Sequence, residues 1–299
     1  MAPRFTALFT AATLAVCIAA PSQDARSQGG PPQAQDRRPR IGLALSGGGA
    51  RGGAHVGVLK VLEELRVPVD FIAGTSIGAV VGGLYASGMS PEQIQEWLLS
   101  SDWNAYIDDR PPRRDLSFRR KEYDRQYIPD LELGLKGGRL KGPEGLIAGH
   151  LFGMELNRLT LPVAEVTDFG LLPIPFRAVA TDIVTGDKVV LSHGRLSDAI
   201  RASMTIPAVI TPVELDGRLL VDGGLTDNLP VDVARAMGAD VVIAVDIGTP
   251  LSDREHLGSL FDISRQVVNI LPESNARASR KMADLLVEPE LAGIAVADY

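Results

Sequence analysis

The chain has 299 residues, of which 45% are hydrophobic and 22% are charged, and its formal net charge at pH 7 is −7. This composition is ordinary for a globular protein with one large domain or two small ones, and it allows a sizeable hydrophobic core. The acidic balance, without interleaved basic and aromatic residues, gives no reason to expect a nucleic-acid-binding protein. The single cysteine, Cys17, excludes an internal disulfide and a cysteine-based metal site.

The N-terminal residues have the order that is typical of a secretory signal peptide. Arg4 precedes a mostly apolar run of sixteen residues at 5–20, and a polar stretch follows it. Because a membrane-spanning helix needs about 20 residues, an anchor helix is the less favoured interpretation. We predict a signal peptide at 1–20 and an exported protein, which is periplasmic, secreted or associated with the outer membrane. Lipidation is not expected, because Val16 stands before Cys17 where a small residue is required.

Residues 21–40 contain almost no large apolar residue, so that they cannot bury enough surface to fold, and we predict a disordered linker. Beyond this linker, apolar runs alternate with helical patterns. The predicted strands are 41–46, 71–73, 176–181, 188–191, 218–221 and 241–246. The predicted helices are 54–65, 77–87, 91–100 with Ser90 as N-cap, 197–202 and 231–237. Continuous apolar strands between helices favour an α/β domain with a mostly parallel central sheet.

Two stretches do not follow this alternation. Residues 103–145 are rich in charge, Gly and Pro, and 110–125 hold seven basic residues against three acidic ones. This stretch is either a solvated lid or connector, which we favour, or a patch that faces anionic lipid headgroups. Helical patterns resume after residue 251, and 284–289 is typical of an edge strand. We expect 251–299 to be a helical extension that completes the domain or leads to a further segment.

A GxSxG sequence at residues 74–78 joins the second predicted strand to the helix that follows it. Such a strand-turn-helix is typical of a nucleophile elbow, in which the serine stands on a tight turn with its hydroxyl exposed. Gly74 and Gly78 are expected there because a side chain would collide with the neighbouring strand or helix. Ser76 is therefore the candidate nucleophile.

A glycine-rich loop at residues 47–53, GGGARGG, follows the first predicted strand and leads into a helix. Backbone amides at a helix N-terminus, unobstructed by side chains, form a site for negative charge. When a serine attacks an ester, the carbonyl oxygen becomes an anion that preorganised donors stabilise. The amides of Gly48, Gly49 and Ala50 are the predicted donors, and Arg51 would hold the loop, meet a phosphate or pair with a carboxylate.

The same glycine pattern after a strand also fits a dinucleotide-binding loop. Such a loop requires an acidic residue at the end of the second strand, about 20 positions further on. Asp70 lies at nearly that distance, but it precedes its predicted strand instead of ending it. The strand also leads into GxSxG, which a dinucleotide site does not need, so we disfavour this interpretation.

Asp222 is the candidate base for Ser76, because it ends an apolar predicted strand and the two residues after it, Gly223 and Gly224, allow a close approach. A plain turn aspartate is the alternative. Free aspartate, with a pKa of about 3.9, is a weak base toward a hydroxyl. Burial would raise that pKa, and a direct hydrogen bond from Ser76 would orient the proton transfer.

A histidine base is the other possibility. The four histidines are His55, His150, His193 and His256. The chain order Ser76, Asp222, His256 would suit an α/β-hydrolase triad. However, His256 lies in a polar segment with no strand before it, which is typical of a surface histidine. His55 lies in the helix after the glycine loop, where we expect it to pack or to cap.

Three motifs in this order resemble the patatin-like phospholipase family. They are SGGGARGGAHVGVLKVLEEL at 46–65, GTSIGAVVGGLYASG at 74–88 and LLVDGGLTDNLPVDVARAMGAD at 219–240. The trio is highly specific, whereas GxSxG alone is not. The resemblance covers about residues 41–250, and the stretch from Leu196 onward resembles the bacterial, exported branch. It implies a three-layer α/β/α domain that hydrolyses acyl esters of lipids with no metal, no cofactor and no catalytic histidine.

Carried over by position, the resemblance implies that Ser76 is the nucleophile and that Asp222 accepts its proton. The implied oxyanion loop consists of Gly47, Gly48, Gly49, Ala50, Arg51 and Gly52. The implied partner is a lipid or membrane-surface substrate, and a downstream outer-membrane module is expected if the chain is a fragment. The alternative is a domain that binds lipid or a protein partner with little turnover.

Overall fold

The computed structural model describes residues 37–109, 147–207, 209–248 and 260–291, together with short pieces between 114 and 141 and at 251, 293 and 294. The predicted signal peptide, most of the predicted linker and His256 lie outside the described residues. Pro39–Tyr299 forms one compact unit. None of the helices in the described part of the chain combines the length and the hydropathy that a membrane crossing requires.

The predicted strands are all present, each within two residues of its expected bounds. In chain order the strands are β1 (Ile41–Leu45), β2 (Phe71–Thr75), β3 (Gly134–Lys136), β4 (Arg139–Lys141), β5 (Phe176–Asp182), β6 (Lys188–Leu191), β7 (Val213–Leu215), β8 (Arg218–Asp222), β9 (Val241–Val245) and β10 (Leu285–Val287). The sequence did not predict β3, β4 or β7. β10 confirms the expected late edge strand, because it lies at one end of the sheet.

Among the described residues, an eight-stranded sheet has the order β10-β9-β1-β2-β5-β8-β7, with β6 also paired to β5. The pairs β9–β10, β1–β9, β1–β2 and β2–β5 are parallel. The pairs β5–β6, β5–β8 and β7–β8 are antiparallel, and β3 and β4 form a separate hairpin. The sheet is therefore mixed, with the predicted parallel pairing at its centre.

The five predicted helices are confirmed to within one residue at each end. The helices are α1 (Gly53–Glu64), α2 (Ile77–Ala86), α3 (Pro91–Ser100), α4 (Trp103–Asp108), α5 (His150–Leu159), α6 (Leu196–Ser203), α7 (Val231–Ala236) and α8 (Leu260–Arg280). Ser90 caps α3 as expected, since its side chain accepts from the Gln93 amide and the Gln93 side chain accepts from the Ser90 amide. The sequence did not predict α4 and α5.

Helices cover both faces of the sheet, as adjacent residues of β1 show. Leu43 and Leu45 are fully buried in a large core with residues of α1, α2, α3, α5 and α6. Ala44, which points to the other face, is fully buried in a second core with Ala234 of α7 and Ala276 of α8. A sheet with two apolar faces explains why its central strands are continuous apolar runs, and it confirms the predicted three-layer α/β/α arrangement.

The start of the stretch 103–145 packs against neighbouring helices and is partly buried. Trp103 of α4 contacts Trp97 with a ring-centroid distance of 5.5 Å, and Tyr106 contacts Phe152 of α5 at 5.6 Å. The Trp103 indole also donates a hydrogen bond to the Leu98 carbonyl at 2.9 Å. The aromatic residues of α4 are thus partly buried against α3 and α5, so this part of the expected lid or connector is not fully solvated. Much of the remaining stretch lies outside the described residues.

Candidate active site

Ser76 occupies the turn between β2 and α2 in a strained backbone conformation, with φ 54° and ψ −124°. Positive φ is uncommon for a residue other than glycine, and such strain persists only where the surrounding structure holds it. The Ser76 amide donates a hydrogen bond to Ser203 Oγ at 2.9 Å, and Ser203 Oγ donates to the Val179 carbonyl at 2.5 Å. The turn is thus tied to α6 and β5, and the Ser76 hydroxyl lines a cavity.

Two glycines allow the approach of the chain segments that form the site. A Cβ atom on Gly78 would lie 2.4 Å from the Leu45 carbonyl oxygen, so that α2 could not pack against the end of β1. A Cβ atom on Gly223 would lie 2.2 Å from the Val179 carbonyl oxygen, which would push β8 away from β5. The steric reason that the sequence indicates for these glycines is therefore present in the structure.

Asp222 is the last residue of β8, and its carboxylate contacts Ser76 directly. Ser76 Oγ donates to Asp222 Oδ2 at 2.6 Å, and the Gly224 amide donates to Oδ1 at 2.7 Å. The Asp222 amide donates to the Thr205 carbonyl at 2.8 Å, and the Asp222 carbonyl accepts from Thr181 Oγ1 at 3.0 Å. Hydrogen bonds from both backbone and side chain therefore determine the direction of this carboxylate.

The environment of Asp222 makes it a stronger base than free aspartate. Burial raises its pKa from 3.8 to about 6, although the hydrogen bonds from Ser76 and Gly224 act in the opposite direction. Desolvation outweighs them because both donors are neutral. At neutral pH such a carboxyl group is still ionised, and its basicity is closer to what proton abstraction from a hydroxyl requires.

The glycine loop starts at the end of β1, and its short 3-10 helix, Gly49–Gly52, leads into α1. Gly47, Gly48 and Gly49 line the same cavity as Ser76 and Asp222. The remaining members of the implied oxyanion loop, Ala50, Arg51 and Gly52, are outside the described lining. Gly52 instead packs closely against the start of α2. The loop residues that face the cavity are therefore its first three.

The amides of this loop differ in availability. The Gly47 amide donates to the Asn228 carbonyl at 3.1 Å and is used by the fold. Among the described residues, the amides of Gly48, Gly49 and Ala50 have no hydrogen-bond acceptor. They are the three amides that the sequence predicts as donors to an anion, and they could donate to one without breaking an existing hydrogen bond.

Arg51 attaches the loop to segments that lie far away in the sequence. Its Nε donates to the Ile294 carbonyl at 2.9 Å, and its Nη1 donates to the Gly248 carbonyl at 2.8 Å. A longer contact of 3.4 Å joins Nη2 to the Leu291 carbonyl. Of the three roles predicted for Arg51, these contacts support that of holding the loop.

Asp70 has a structural role at the opposite end of the strands. Its Oδ2 accepts from the Ile41 amide at 2.7 Å, and its amide donates to the Ile41 carbonyl at 2.8 Å. These bonds join the starts of β1 and β2, whereas the glycine loop and Ser76 follow the ends of these strands. Asp70 is therefore not near the glycine loop, as a dinucleotide site would require.

The described histidines do not contact Ser76 or Asp222. His55 is fully buried in α1, its Nε2 lies 2.9 Å from the Ser46 carbonyl oxygen, and burial lowers its pKa to about 4. It is packed, as the sequence predicts. His150 and His193 are exposed. Among the described residues, no cluster of three His, Cys, Asp or Glu side chains could hold a metal ion.

Two asparagines that the sequence analysis did not select connect the loops of the site. Asn275 of α8 donates to the Gly224 carbonyl at 2.9 Å and accepts from the Asn228 amide at 2.8 Å. Asn228 Nδ2 in turn reaches the Gly47 carbonyl at 3.4 Å. Asn228 was detectable only as part of the DGGLTDNLP motif, and nothing in the local pattern of α8 distinguishes Asn275.

A cavity of about 390 Å³ lies beside the Ser76 hydroxyl. Most of its lining surface is apolar. The apolar and aromatic lining residues from α4, α5 and the segments next to α5 and α6 include Trp103, Tyr106, Ile147, Phe152, Ile206 and Ile210. An apolar cavity with a few polar groups at one side is suited to an acyl chain whose ester lies at Ser76.

Comparisons with known proteins agree with the motifs. A model of the patatin-like phospholipase family matches residues 43–235. An uncharacterized NTE family protein of Mycobacterium tuberculosis is 34% identical over 250 residues, which are 82% of this chain and 61% of that protein. Human patatin-like phospholipase domain-containing protein 6 is 37% identical over 212 residues, which are 70% of this chain and 13% of that protein.

Lysophospholipase NTE1 of Mycosarcoma maydis is 37% identical over 209 residues, which are 70% of this chain and 10% of that protein. The chain thus spans less than two thirds of the length of these relatives. Among solved structures, VipD from Legionella pneumophila has a TM-score of 0.44 and 18% identity, with coverage of 73% of this chain and 52% of VipD.

Proposed function

Because the chain belongs to the patatin-like phospholipase family, we propose that it is a serine hydrolase that cleaves fatty-acyl esters of lipids, with phospholipids as the substrate class. Ser76 is the nucleophile and Asp222 is its base. The observation that carries this proposal is the 2.6 Å hydrogen bond from Ser76 Oγ to Asp222 Oδ2 at the side of an apolar cavity.

In the first half of the reaction, Ser76 Oγ attacks the ester carbonyl carbon while its proton passes to Asp222 Oδ2. The carbonyl π electrons move to the oxygen, which becomes an oxyanion. When the tetrahedral intermediate collapses, the bond from carbon to the alcohol oxygen breaks and the leaving alcohol takes the proton from Asp222. The products are a free alcohol and an acyl group on Ser76.

In the second half, water attacks the acyl carbonyl carbon and gives a proton to Asp222. Collapse of the second tetrahedral intermediate breaks the bond to Ser76 Oγ, which recovers the proton. The fatty acid leaves and the site returns to its starting state. One carboxylate thus serves as the base in each attack and as the acid in each collapse.

The oxyanion is stabilised by the glycine loop. The amides of Gly48 and Gly49, which line the cavity, and that of Ala50 next to them are the available donors. A preorganised donor of this kind is worth about 3–4 kcal/mol in the transition state. This assignment is supported by the lack of any other acceptor for these amides among the described residues. Arg51 contributes indirectly, because its contacts with the Gly248 and Ile294 carbonyls hold the loop in place.

The test is hydrolysis of p-nitrophenyl esters and mixed phospholipids by the purified protein and its variants. Ser76→Ala and Asp222→Asn should abolish acyl hydrolysis while the protein remains folded. Ser100→Ala and Asp216→Asn serve as matched controls, since both residues lie away from the cavity, and they should retain activity. A fluorophosphonate probe should label the parent but not Ser76→Ala. Activity that survives both site substitutions would contradict the proposal, and an inactive, unlabelled parent would favour a binding role.

We also propose, from the N-terminal sequence alone, that the protein is an exported member of the family. The apolar run at 5–20, with Arg4 before it and a polar stretch after it, supports this localisation. Fusion of residues 1–40 to a reporter enzyme that is active only outside the cytoplasm provides the test. A reporter that stays inactive would contradict export.

A further inference from the structure

Arg201 places a positive charge in the wall of the apolar cavity. It lies near the end of α6, close in sequence to Ser203, which holds the Ser76 amide. Among the described lining residues, Arg201 is the only cation, and Ser76 lines the same cavity. A charged group in an apolar wall costs free energy unless a partner compensates its charge. The partners of this guanidinium group therefore indicate whether its charge is compensated.

The protein satisfies only part of the hydrogen-bonding capacity of Arg201. Its Nη2 donates to the Ala148 carbonyl at 2.9 Å, whereas its buried Nε has no hydrogen-bond partner. Within the described part of the chain, no carboxylate forms an ion pair with this side chain. Buried N–H groups are nearly always paired with protein, water or ligand. Arg201 Nε is therefore an unsatisfied donor among the described residues.

The acidic residues of the same lining are engaged elsewhere. Asp222 accepts hydrogen bonds from Ser76 and Gly224. Glu273 accepts from Arg277 at 3.0 Å and from Arg280 at 3.0 and 2.9 Å. Neither carboxylate is available to neutralise Arg201, so its charge is not compensated by the described lining residues.

Two glycines, one in α5 and one just before it, allow the backbone to pack close to the Arg201 side chain. A Cβ atom on Gly153 would lie 3.5 Å from Arg201 Cδ and 3.7 Å from Nη1, and one on Gly149 would lie 3.9 Å from Nε. Glycine at these two positions therefore leaves room for the guanidinium group in the wall of the cavity.

We propose that Arg201 binds the phosphate of a phospholipid or lysophospholipid headgroup while the acyl ester of the same molecule lies at Ser76. This proposal rests on the proposed function and names the group by which the site selects phosphate-bearing lipids over neutral ones. A guanidinium group is always charged and presents its donors in a plane that matches phosphate oxygens. The phosphate would supply the negative charge that no described carboxylate supplies to Arg201.

The experiment compares two esters that share an acyl chain, a lysophospholipid and a monoacylglycerol, in the parent protein, Arg201→Gln and Arg201→Lys. We expect the ratio of kcat/KM for the lysophospholipid to that for the monoacylglycerol to fall about 10- to 100-fold in Arg201→Gln, which is the range for loss of a charge-assisted hydrogen bond. Arg201→Lys, which keeps the charge, should have an intermediate ratio. Arg158→Gln, a matched control at an exposed arginine of α5, should leave the ratio at the parent value.

A purely structural role of Arg201 would lower both rates by the same factor, and an unchanged ratio in Arg201→Gln would overturn the proposal. If Arg201→Gln does not fold, Arg201→Lys provides the test. A variant in which both kcat/KM values fall while their ratio stays equal to that of the parent would contradict phosphate recognition. Added inorganic phosphate distinguishes a site that binds a free anion from one that binds a lipid headgroup. If it slows monoacylglycerol hydrolysis only when Arg201 is present, while the substrate ratio is insensitive to Arg201→Gln, the site binds a free anion and the headgroup assignment is wrong.

A binding measurement separates this proposal from failure of the proposed function. Ser76→Ala cannot form the acyl-enzyme, so its affinity for a short-chain lysophospholipid reports recognition alone. We expect Arg201→Gln in the Ser76→Ala background to bind the lysophospholipid about 10-fold more weakly or worse, with a smaller change for the matching monoacylglycerol. Equal losses for the two lipids would overturn the proposal even if the parent protein is an active hydrolase.

Discussion

The Ser203 hydroxyl accepts a hydrogen bond from the Ser76 amide at 2.9 Å and donates one to the Val179 carbonyl at 2.5 Å. A residue of α6 therefore holds the strained turn on which Ser76 stands, with its φ of 54°. Because Ser203 is fully buried, water cannot readily replace either bond. The position of the Ser76 hydroxyl thus depends on a side chain that lies far from it in the sequence.

Ser203→Ala should loosen this turn. The variant leaves the Ser76 amide without its acceptor, and we expect a loss of about 1–3 kcal/mol in the free energy of unfolding. We also expect a lower kcat with a smaller change in KM, because the nucleophile is misplaced while the cavity persists. Urea unfolding and ester kinetics provide the measurements. Ser87→Ala is the control, since Ser87 Oγ bonds only within its own helix turn, to Leu84. Equal effects of the two substitutions would contradict this assignment.

Asp222 should determine the acid limb of the pH profile. Its pKa is raised to about 6 by burial, and only the ionised carboxylate can take the Ser76 proton. We therefore expect kcat/KM for a neutral ester to be low at pH 5, to reach half its maximum near pH 6 and to be constant above about pH 7. A half-maximum near pH 4, the ordinary range of a solvated aspartate, would show that burial does not control this group.

Asp222→Asn should abolish activity and yet stabilise the fold at neutral pH. A carboxyl group whose pKa is higher in the folded state than in the unfolded state contributes stability below its unfolded pKa, and this contribution is lost as the pH rises through the folded pKa. For a shift from 3.8 to about 6, the loss is on the order of 2–3 kcal/mol. Asparagine does not titrate, so the advantage of the variant should grow between pH 4 and pH 6 and stay constant above that range. Denaturant unfolding at several pH values tests this, and a pH-independent difference would contradict it.

Asn275→Ala should affect the site from α8. The substitution leaves the Gly224 carbonyl and the Asn228 amide without their partner, and we expect a loss of about 1–3 kcal/mol in stability together with a lower kcat. Asn275→Asp keeps the acceptor for Asn228 but lacks the donor to Gly224, so its effect on both quantities should be smaller than that of alanine. If the alanine variant is as stable and as active as the parent, this side chain does not fasten the two loops.

Two glycine substitutions test whether close approach explains the motif. Gly78→Ala would place a Cβ atom 2.4 Å from the Leu45 carbonyl oxygen, whereas a Cβ atom on Gly57 of α1 would have no neighbour within 4 Å. We expect Gly78→Ala to destabilise the protein by about 3 kcal/mol or more and Gly57→Ala to stabilise it by up to about 1 kcal/mol through helix propensity. Thermal unfolding of the two variants measures the contrast. Similar stabilities of the two variants would show that α2 can move away from the end of β1 without a loss of free energy of unfolding.

Much of the fold was predictable because burial leaves local patterns in the chain. β1 and β9 are continuous apolar runs since helices cover both faces of the sheet. The start of α3 after Ser90 was predictable because its capping box consists of residues only three positions apart. Where these signals are weak, prediction failed. β7 has three residues and one buried side chain, and α4 is held by aromatic contacts with α3 and α5 that no periodicity in its own six residues reveals.

The sequence by itself was enough to identify three local motifs: a serine in a strand-turn-helix, a glycine-rich loop and an aspartate at the end of a strand. Each of these motifs is defined by residues that are adjacent in the chain. Only the tertiary structure decided that Ser76 and Asp222, 146 positions apart, are in hydrogen-bond contact. It also decided that Ser203 and Asn275 hold the site, and that burial gives Asp222 a raised pKa. The physical reason is that desolvation and hydrogen bonding between distant segments depend on how those segments pack. The local sequence of a segment does not show which distant segment it packs against.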